Sequence, residues 1–408
     1  MHLQRVAITG MGAVSPLGNG VEELWTGLLE GRSGISRMDE LELVKGLRPR
    51  IAGRVTDVKA NAIPRKFRRT MSNFSIFAAL AALEAVKQAG LDEQIISGGR
   101  TGLSVGSTTG SSQALEQFFK LYLPENSLEA IRSTEFFKIM NHSAAANLSQ
   151  FFGITGRVIA ASAACSTGCQ NIGLAAEAIA TGKQDIMLCG GTDELHPLTV
   201  GTFDIIEAAS TSGEEDPATA SRPFDAARDG IVCAEGAGML VLENYEQAEA
   251  RGAKILSEIE GFSSLCDSNN MASPSSEAIR RCMHAALGDA GISASEIDYV
   301  NAHATGTLQG DASEAQAVAD LLGSAAPVSS LKGHLGHTMA ASGAIETIAT
   351  VRMMQESTII PTANLTVPAE ECSAINNVLH LQERPITYAL KNNFALGGIN
   401  TALVLRRA

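Results

Sequence analysis

A cysteine, two histidines and a lysine stand in this chain where apolar strand-like runs give way to loops. Cys165 follows the β-rich run Arg157-Val-Ile-Ala-Ala-Ser-Ala-Ala and precedes a helix-like stretch, Ser166 to Ala180. A thiol at such a start meets unpaired N–H groups and the positive end of the helix dipole, which lower its pKa below the free value of about 8.5. His303 lies in Asn301-Ala-His-Ala-Thr305-Gly-Thr307, after the run Ile297-Asp-Tyr-Val300. His337 closes Ser329-Ser-Leu-Lys332-Gly-His-Leu-Gly-His, after Ala326-Pro-Val-Ser. Loops at strand ends are where open α/β folds assemble sites. Taken singly, a cysteine is more often a buried structural residue and a histidine a satisfied core or surface group. In this order they read as a nucleophile followed by two helpers.

The elements that must position them alternate strand and helix, which argues for parallel sheets covered by helices. One unit runs strand, catalytic loop and helix over Val158 to Gly182, then the strand Asp185-Ile-Met-Leu and Gly190-Gly191. A second runs Pro327-Val-Ser, the loop around His337, a helix over Ala340 to Met354, the strand at Tyr388-Ala-Leu and the turn Gly397-Gly398. The scheme predicts a duplication into residues 1–251, carrying the cysteine, and 252–408, carrying the histidines and Lys332. The expected boundary lies near Arg251-Gly252, between Glu243-Asn-Tyr-Glu-Gln-Ala and the next strand, Ile255 to Ile259.

Composition fits a large α/β protein with a core of small aliphatics. The chain has 408 residues, of which 45% are hydrophobic and only 4% aromatic, so Ala, Val, Ile and Leu must fill the interior. Seven cysteines without a Cys-x-x-Cys pair argue against a disulfide framework and a structural zinc site, and point to a reducing cytoplasm. Met1-His-Leu-Gln-Arg5 leads straight toward a strand and offers no signal peptide. The charge-free stretch Val158 to Ala176 is too polar to prefer a bilayer, so no membrane span is expected. A net charge of −13 excludes nucleic acid as a natural partner.

Two motifs invite other chemistry. Gly10-Met-Gly12-Ala-Val-Ser15 follows a strand like a dinucleotide-binding loop, but its third glycine is Ser15 and Pro16 interrupts the helix that should follow. His334-x-x-His337 has a spacing that metals use, yet Lys332 brings positive charge and no thiolate or carboxylate lies close in sequence. No metal is expected, and His334 is left without a role.

The chain resembles the β-ketoacyl-acyl carrier protein synthases of the thiolase superfamily over almost its whole length. The likeness runs through Val6-Ala-Ile-Thr-Gly10-Met-Gly12, Ala164-Cys165-Ser166, Arg222-Pro-Phe-Asp225, Glu235-Gly-Ala-Gly238, both histidine motifs and Asn392-Asn-Phe394-Ala-Leu-Gly-Gly-Ile-Asn400. It implies a thiolase-like five-layer αβαβα sandwich and a dimer, either a homodimer or a heterodimer with a homologous ketosynthase-like subunit. By the same resemblance, Cys165 takes an acyl chain from an acyl carrier protein, with the backbone N–H groups of Cys165 and Leu396 as oxyanion hole. His303 and His337 stabilise the enolate formed when malonyl carrier protein loses carbon dioxide; Lys332 orders the site and Glu346 holds the lysine. Thr305 and Thr307 match positions that bind the phosphopantetheine arm, which arrives on the carrier protein, so no resident cofactor is implied. Arg65, Lys66, Arg68 and Arg69, four cations in five residues, resemble a docking patch for that acidic carrier.

Departures from the commonest fatty-acid pattern bear on substrate. The gating motif usually reads Phe-Gly-Phe-Gly-Gly-Thr-Asn; here Ala395 and Leu396 follow Phe394. Ile231 stands where a phenylalanine commonly lines the acyl pocket, Thr109 where an apolar gate often stands, and Phe203 is retained. Fewer aromatics near Cys165 suit a bulkier or stiffer chain. Gly190-Gly-Thr-Asp-Glu-Leu-His196-Pro197 and the Gly-Gly-Ile-Asn ending look like the aryl polyene branch. Three classes therefore compete: a fatty-acid elongating synthase, a polyene or polyketide ketosynthase working as half of a heterodimer, and a non-enzymatic chain-length subunit. Retention of Cys165, His303, Lys332 and His337 weighs against the third. A coenzyme A thiolase would carry a second cysteine in the turn Ala395 to Gly398, and none is there.

Overall fold

The computed structural model describes residues 3–408, so Met1 and His2 of the N-terminal reading lie outside it. In chain order the elements that build the site are β1 (Val6–Ser15), α1 (Asn73–Ala89), β2 (Thr101–Gly106), α2 (Ser143–Phe152), β3 (Val158–Ile159) and α3 (Thr167–Ala180). They continue as β4 (Ile186–Asp193), α4 (Pro197–Ile205) and β5 (Gly236–Asn244). A second series follows: β6 (Ser257–Cys266), α5 (Ser276–Ala290), β7 (Tyr299–Asn301), α6 (Leu308–Leu322), β8 (Pro327–Ser329), α7 (Ser342–Glu356), β9 (Tyr388–Phe394) and β10 (Ile399–Arg407).

Strand order repeats between the two series. The first sheet runs β1-β5-β4-β2-β3 and the second β6-β10-β9-β7-β8. In each, the first three strands are antiparallel neighbours and the last two are added in parallel. A short antiparallel contact of Val6–Ile8 with Ser257–Ile259 joins the sheets edge to edge. The repeat makes β3, α3 and β4 equivalent to β8, α7 and β9, so the loop carrying Cys165 and the loop carrying His337 occupy the same place in their halves.

Helices α1 and α5 cover the outer faces, on β1 with β5 and on β6 with β10, while α3 and α7 pack against each other and against both sheets. The outcome is five layers, helix, sheet, helix, sheet, helix. Sheets covered on both faces read as continuous apolar runs, and β1, β4 and β5 are buried along their whole lengths. Helix α7 is buried on nearly every side, and its Thr347 and Thr350 hydroxyls satisfy themselves on the carbonyls of Gly343 and Glu346.

Three local expectations change. Gly10 and Gly12 form no loop: they lie inside β1, where a Cβ would fall on the carbonyls of Ala85 and Ala81 in α1, so their absence of side chain lets an alanine-rich helix sit close. Gly190 and Gly191 likewise lie within β4, and a Cβ on Gly191 would strike the Ala340 carbonyl. The β-rich run before Cys165 pairs only at Val158 and Ile159, because the chain then leaves the sheet edge for the active-site loop.

Candidate active site

Cys165 sits in the one-turn helix Ala164–Ser166, immediately before α3. Ala164 holds φ +44°, a sharp turn for a residue with a side chain. Ser166 pins that turn across the molecule by donating to the carbonyls of Asn393 (3.0 Å) and Ile399 (2.8 Å). His303 follows β7, and its loop is shaped by buried carboxylates: Glu314 accepts the N–H groups of His303 (2.9 Å) and Ala304 (2.7 Å), and Asp311 those of Thr305 (3.0 Å) and Gly306 (3.1 Å). His337 is fixed by backbone bonds on both sides, to Val232 and from Ala234, each 2.8 Å. These loops bring the Cys165 sulfur and nitrogens of both imidazoles within 4.8 Å of one another. The two rings meet edge to face, 5.3 Å between centroids.

The expected acidified thiol is not what this environment produces. Burial pushes Cys165 up to about 12; Lys332 and the N–H groups of Leu396 and Cys165, which point at the sulfur, pull the other way without winning. The helix start favours an anion, but a sulfur buried this deeply at the cavity's end loses more in hydration. Burial, seconded by Lys332, also holds His303 and His337 well below their ordinary range, so both imidazoles are neutral. Asn393 Nδ2 donates to His303 Nδ1 (3.3 Å), which leaves the ring proton on Nε2. Neither nitrogen of His337 has a partner among the described residues, although its side chain is 1% exposed. Such a buried group wants a ligand oxygen. Lys332 is 2.6 Å from Glu346 Oε1, and burial, helped by Lys391, leaves the lysine below its usual range although this pairing pulls it up.

A cavity of about 440 Å³ opens onto Cys165, His303 and His337. Phe203 from α4, Ile231, Thr305, Thr307, Phe394 and Leu396 all line it. The Thr305 and Thr307 hydroxyls lie 3.3 Å apart. Thr109 is exposed and does not line this cavity. Ala395 has no need of a left-handed backbone, since the positive φ angles fall on Gly397 and Gly398. His334 finds a role in packing: its ring nitrogens face the carbonyls of Arg32 (3.1 Å) and Pro361 (3.2 Å), turned away from any shared metal. The cluster of Cys165, His303 and His337 is tight enough for one ion, but Lys332 opposes a cation there. Arg65, Lys66 and Arg69 are exposed on a one-turn helix and its cap, while half-buried Arg68 donates to the Ile63 carbonyl; none of the four forms a salt bridge among the described residues.

The family model for the β-ketoacyl synthase N-terminal domain matches residues 3–248, and that for its C-terminal domain residues 256–366. The chain belongs to the β-ketoacyl synthase family. It is 37% identical to the 3-oxoacyl-[acyl-carrier-protein] synthase 2 of Vibrio cholerae, covering 100% of both chains. Among solved structures, a β-ketoacyl synthase from Burkholderia phymatum matches with a TM-score of 0.96 at 40% identity, covering 99% of this chain and 100% of that one. The ishigamide ketosynthase/chain length factor matches at 0.92 and 30%, covering 100% of both.

Around the site of this β-ketoacyl synthase family member are residues that sequence reading passed over. Lys391 lies 2.8 Å from Glu346 Oε2, opposite Lys332. Glu314 and Asn393 hold His303 from below and beside. Asp193, pushed up to about 6 by burial, ties Thr108 (2.6 Å) to the Ala340 N–H (2.8 Å) just beyond His337. Only Lys391 left a signal, as the one charge in the strand Tyr388–Phe394.

Proposed function

We propose that this chain is a β-ketoacyl-acyl carrier protein synthase, an acyltransferase that joins malonyl carrier protein to an acyl chain held on Cys165. The observation that carries this reading is the buried sulfur flanked by two N–H groups and two neutral imidazoles at the end of one cavity. Cys165 attacks the acyl thioester; the new C–S bond forms as the bond to the carrier's thiol breaks, and the cysteine proton ends on that thiol. A thiol held near 12 gives up its proton only as the thioester arrives, in step with the departure of the carrier's thiolate. Malonyl carrier protein then loses carbon dioxide, and the electron pair left behind moves onto the thioester oxygen as an enolate. His303 Nε2 and His337 donate to that oxygen. The enolate carbon attacks the acyl carbonyl, whose developing charge falls on the N–H groups of Cys165 and Leu396, and Cys165 leaves to be reprotonated from solvent. Lys332, ordered by Glu346, supplies fixed positive charge.

No resident cofactor is needed, because the phosphopantetheine arm comes with the carrier and passes Thr305 and Thr307. The carrier would dock at Arg65, Lys66, Arg68 and Arg69. The similarity to a ketosynthase/chain length factor supports a second reading, that the chain elongates polyene or polyketide chains only beside a cysteine-less homologue. Intact-mass analysis with saturated and polyenoyl carrier-protein primers plus malonyl carrier protein separates the readings. Extension of saturated primers by the chain alone supports the fatty-acid synthase; extension only of polyenoyl primers, or only with the homologue added, supports the specialised one. If neither primer adds mass at Cys165, with or without the homologue, both readings fall.

A further inference from the structure

Lys391 stands in the middle of β9 and is fully buried. It shares Glu346 with Lys332, and its ammonium also donates to the Asn392 carbonyl. Two buried ammonium groups on one carboxylate repel each other, and such a cluster persists only if more negative charge lies near. Glu314 supplies it: burial pushes its carboxyl up, but it accepts the His303 and Ala304 N–H groups and the Asn392 amide (3.2 Å), and these donors together with Lys332 favour the ionised form. The wall behind the two imidazoles thus holds two carboxylates and two ammonium groups. Its other titratable neighbours are Cys169 on α3 and Tyr299 on β7, beside His303 and His337 themselves; Asp311 is taken up by Arg228.

We propose that Lys391 is a positioning residue of the condensation: by taking the second oxygen of Glu346 it balances Glu314, and so keeps His303 and His337 neutral and able to donate to the thioester oxygen. This rests on the function proposed above. Without Lys391 the wall carries one ammonium group against two carboxylates, and the net negative charge invites protons onto the rings. A protonated imidazole beside Lys332 would also bind the malonyl carboxylate and oppose its departure as neutral carbon dioxide. Lys391 opposes protonation of both rings in the same direction as burial and Lys332.

The test compares wild type with Lys391→Met, ¹⁵N-labelled at histidine and titrated by NMR, the two rings being assigned by their loss in His303→Gln and His337→Gln. We expect both to gain a proton about one pH unit higher in Lys391→Met. The acid limb of malonyl-carrier-protein decarboxylation should then move up by about one pH unit, with little change at high pH, and Lys391→Arg should restore the wild-type profile. Acylation of Cys165 should not follow the same pH change. If methionine is not tolerated, Lys391→Gln removes the charge while keeping hydrogen-bonding capacity. Superimposed titrations and pH profiles in active, folded enzyme overturn the role of Lys391. A wild type that neither loads Cys165 nor decarboxylates malonyl carrier protein overturns the functional reading itself, a different result.

Discussion

Glu346 shows how charge is managed at the residue scale. Burial pushes its carboxyl up, but Lys332 and Lys391 outweigh that and hold it below the usual range. The sign follows: the stability it contributes is present above the ordinary carboxylate pKa, about 4.3, and is lost as pH falls through the lowered folded value. Glu346→Gln leaves two ammonium groups buried without a carboxylate between them, and should cost about 3–5 kcal/mol by urea denaturation near neutral pH. An unchanged unfolding midpoint would show the lysines are satisfied elsewhere. Cys165, His303, Lys332 and His337 were legible because residue type and order carry their chemistry. Lys391 meets a carboxylate 45 positions earlier in the chain, and Asn393 meets His303 across two strands; nothing local in sequence announces either. The thiol's pKa was misread for a related reason. A helix start is visible in sequence, whereas the depth at which the sulfur is buried belongs to the assembled fold.

Elements set the distances within which those residues act. The turn Met339–Ala341 links His337 to α7 and packs on β4, where Gly191 leaves room for the Ala340 carbonyl. Gly191→Ala should therefore displace that turn, costing about 1–3 kcal/mol of stability and lowering kcat more than it changes KM. Steady-state kinetics with the folded variant checks it; a wild-type kcat would mean that the turn adapts without moving His337. The helix after Cys165 was readable, since the helix-like stretch Ser166 to Ala180 is α3, Thr167–Ala180. The glycine pairs were not, because Gly10-Met-Gly12 and Gly190-Gly191 look like turn signals in sequence. Their reason is a neighbour that sequence does not show.

For the whole molecule, duplication was visible as two strand-loop-helix-strand schemes, but the five layers came from the likeness to a family. Periodicity says that a strand is covered on both faces, not by which helix. On a chain of net charge −13, the exposed cations at Arg65, Lys66 and Arg69 form a local exception that can steer an acidic carrier. Lys66→Glu with Arg69→Glu should raise the apparent KM for carrier protein several-fold at low salt, with kcat little changed and the difference shrinking as salt rises. Equal KM values at low salt would place docking elsewhere. Among the described residues no helix is long and apolar enough to cross a membrane.

The most direct test of the division of labour is stepwise intact-mass analysis of wild type, Cys165→Ala, His303→Ala and His337→Ala, first with acyl carrier protein and then with malonyl carrier protein. The account predicts an acyl adduct on all but Cys165→Ala and extended product from wild type alone. Acyl loading lost as completely in the histidine variants as in Cys165→Ala, or an adduct persisting in Cys165→Ala, would contradict it.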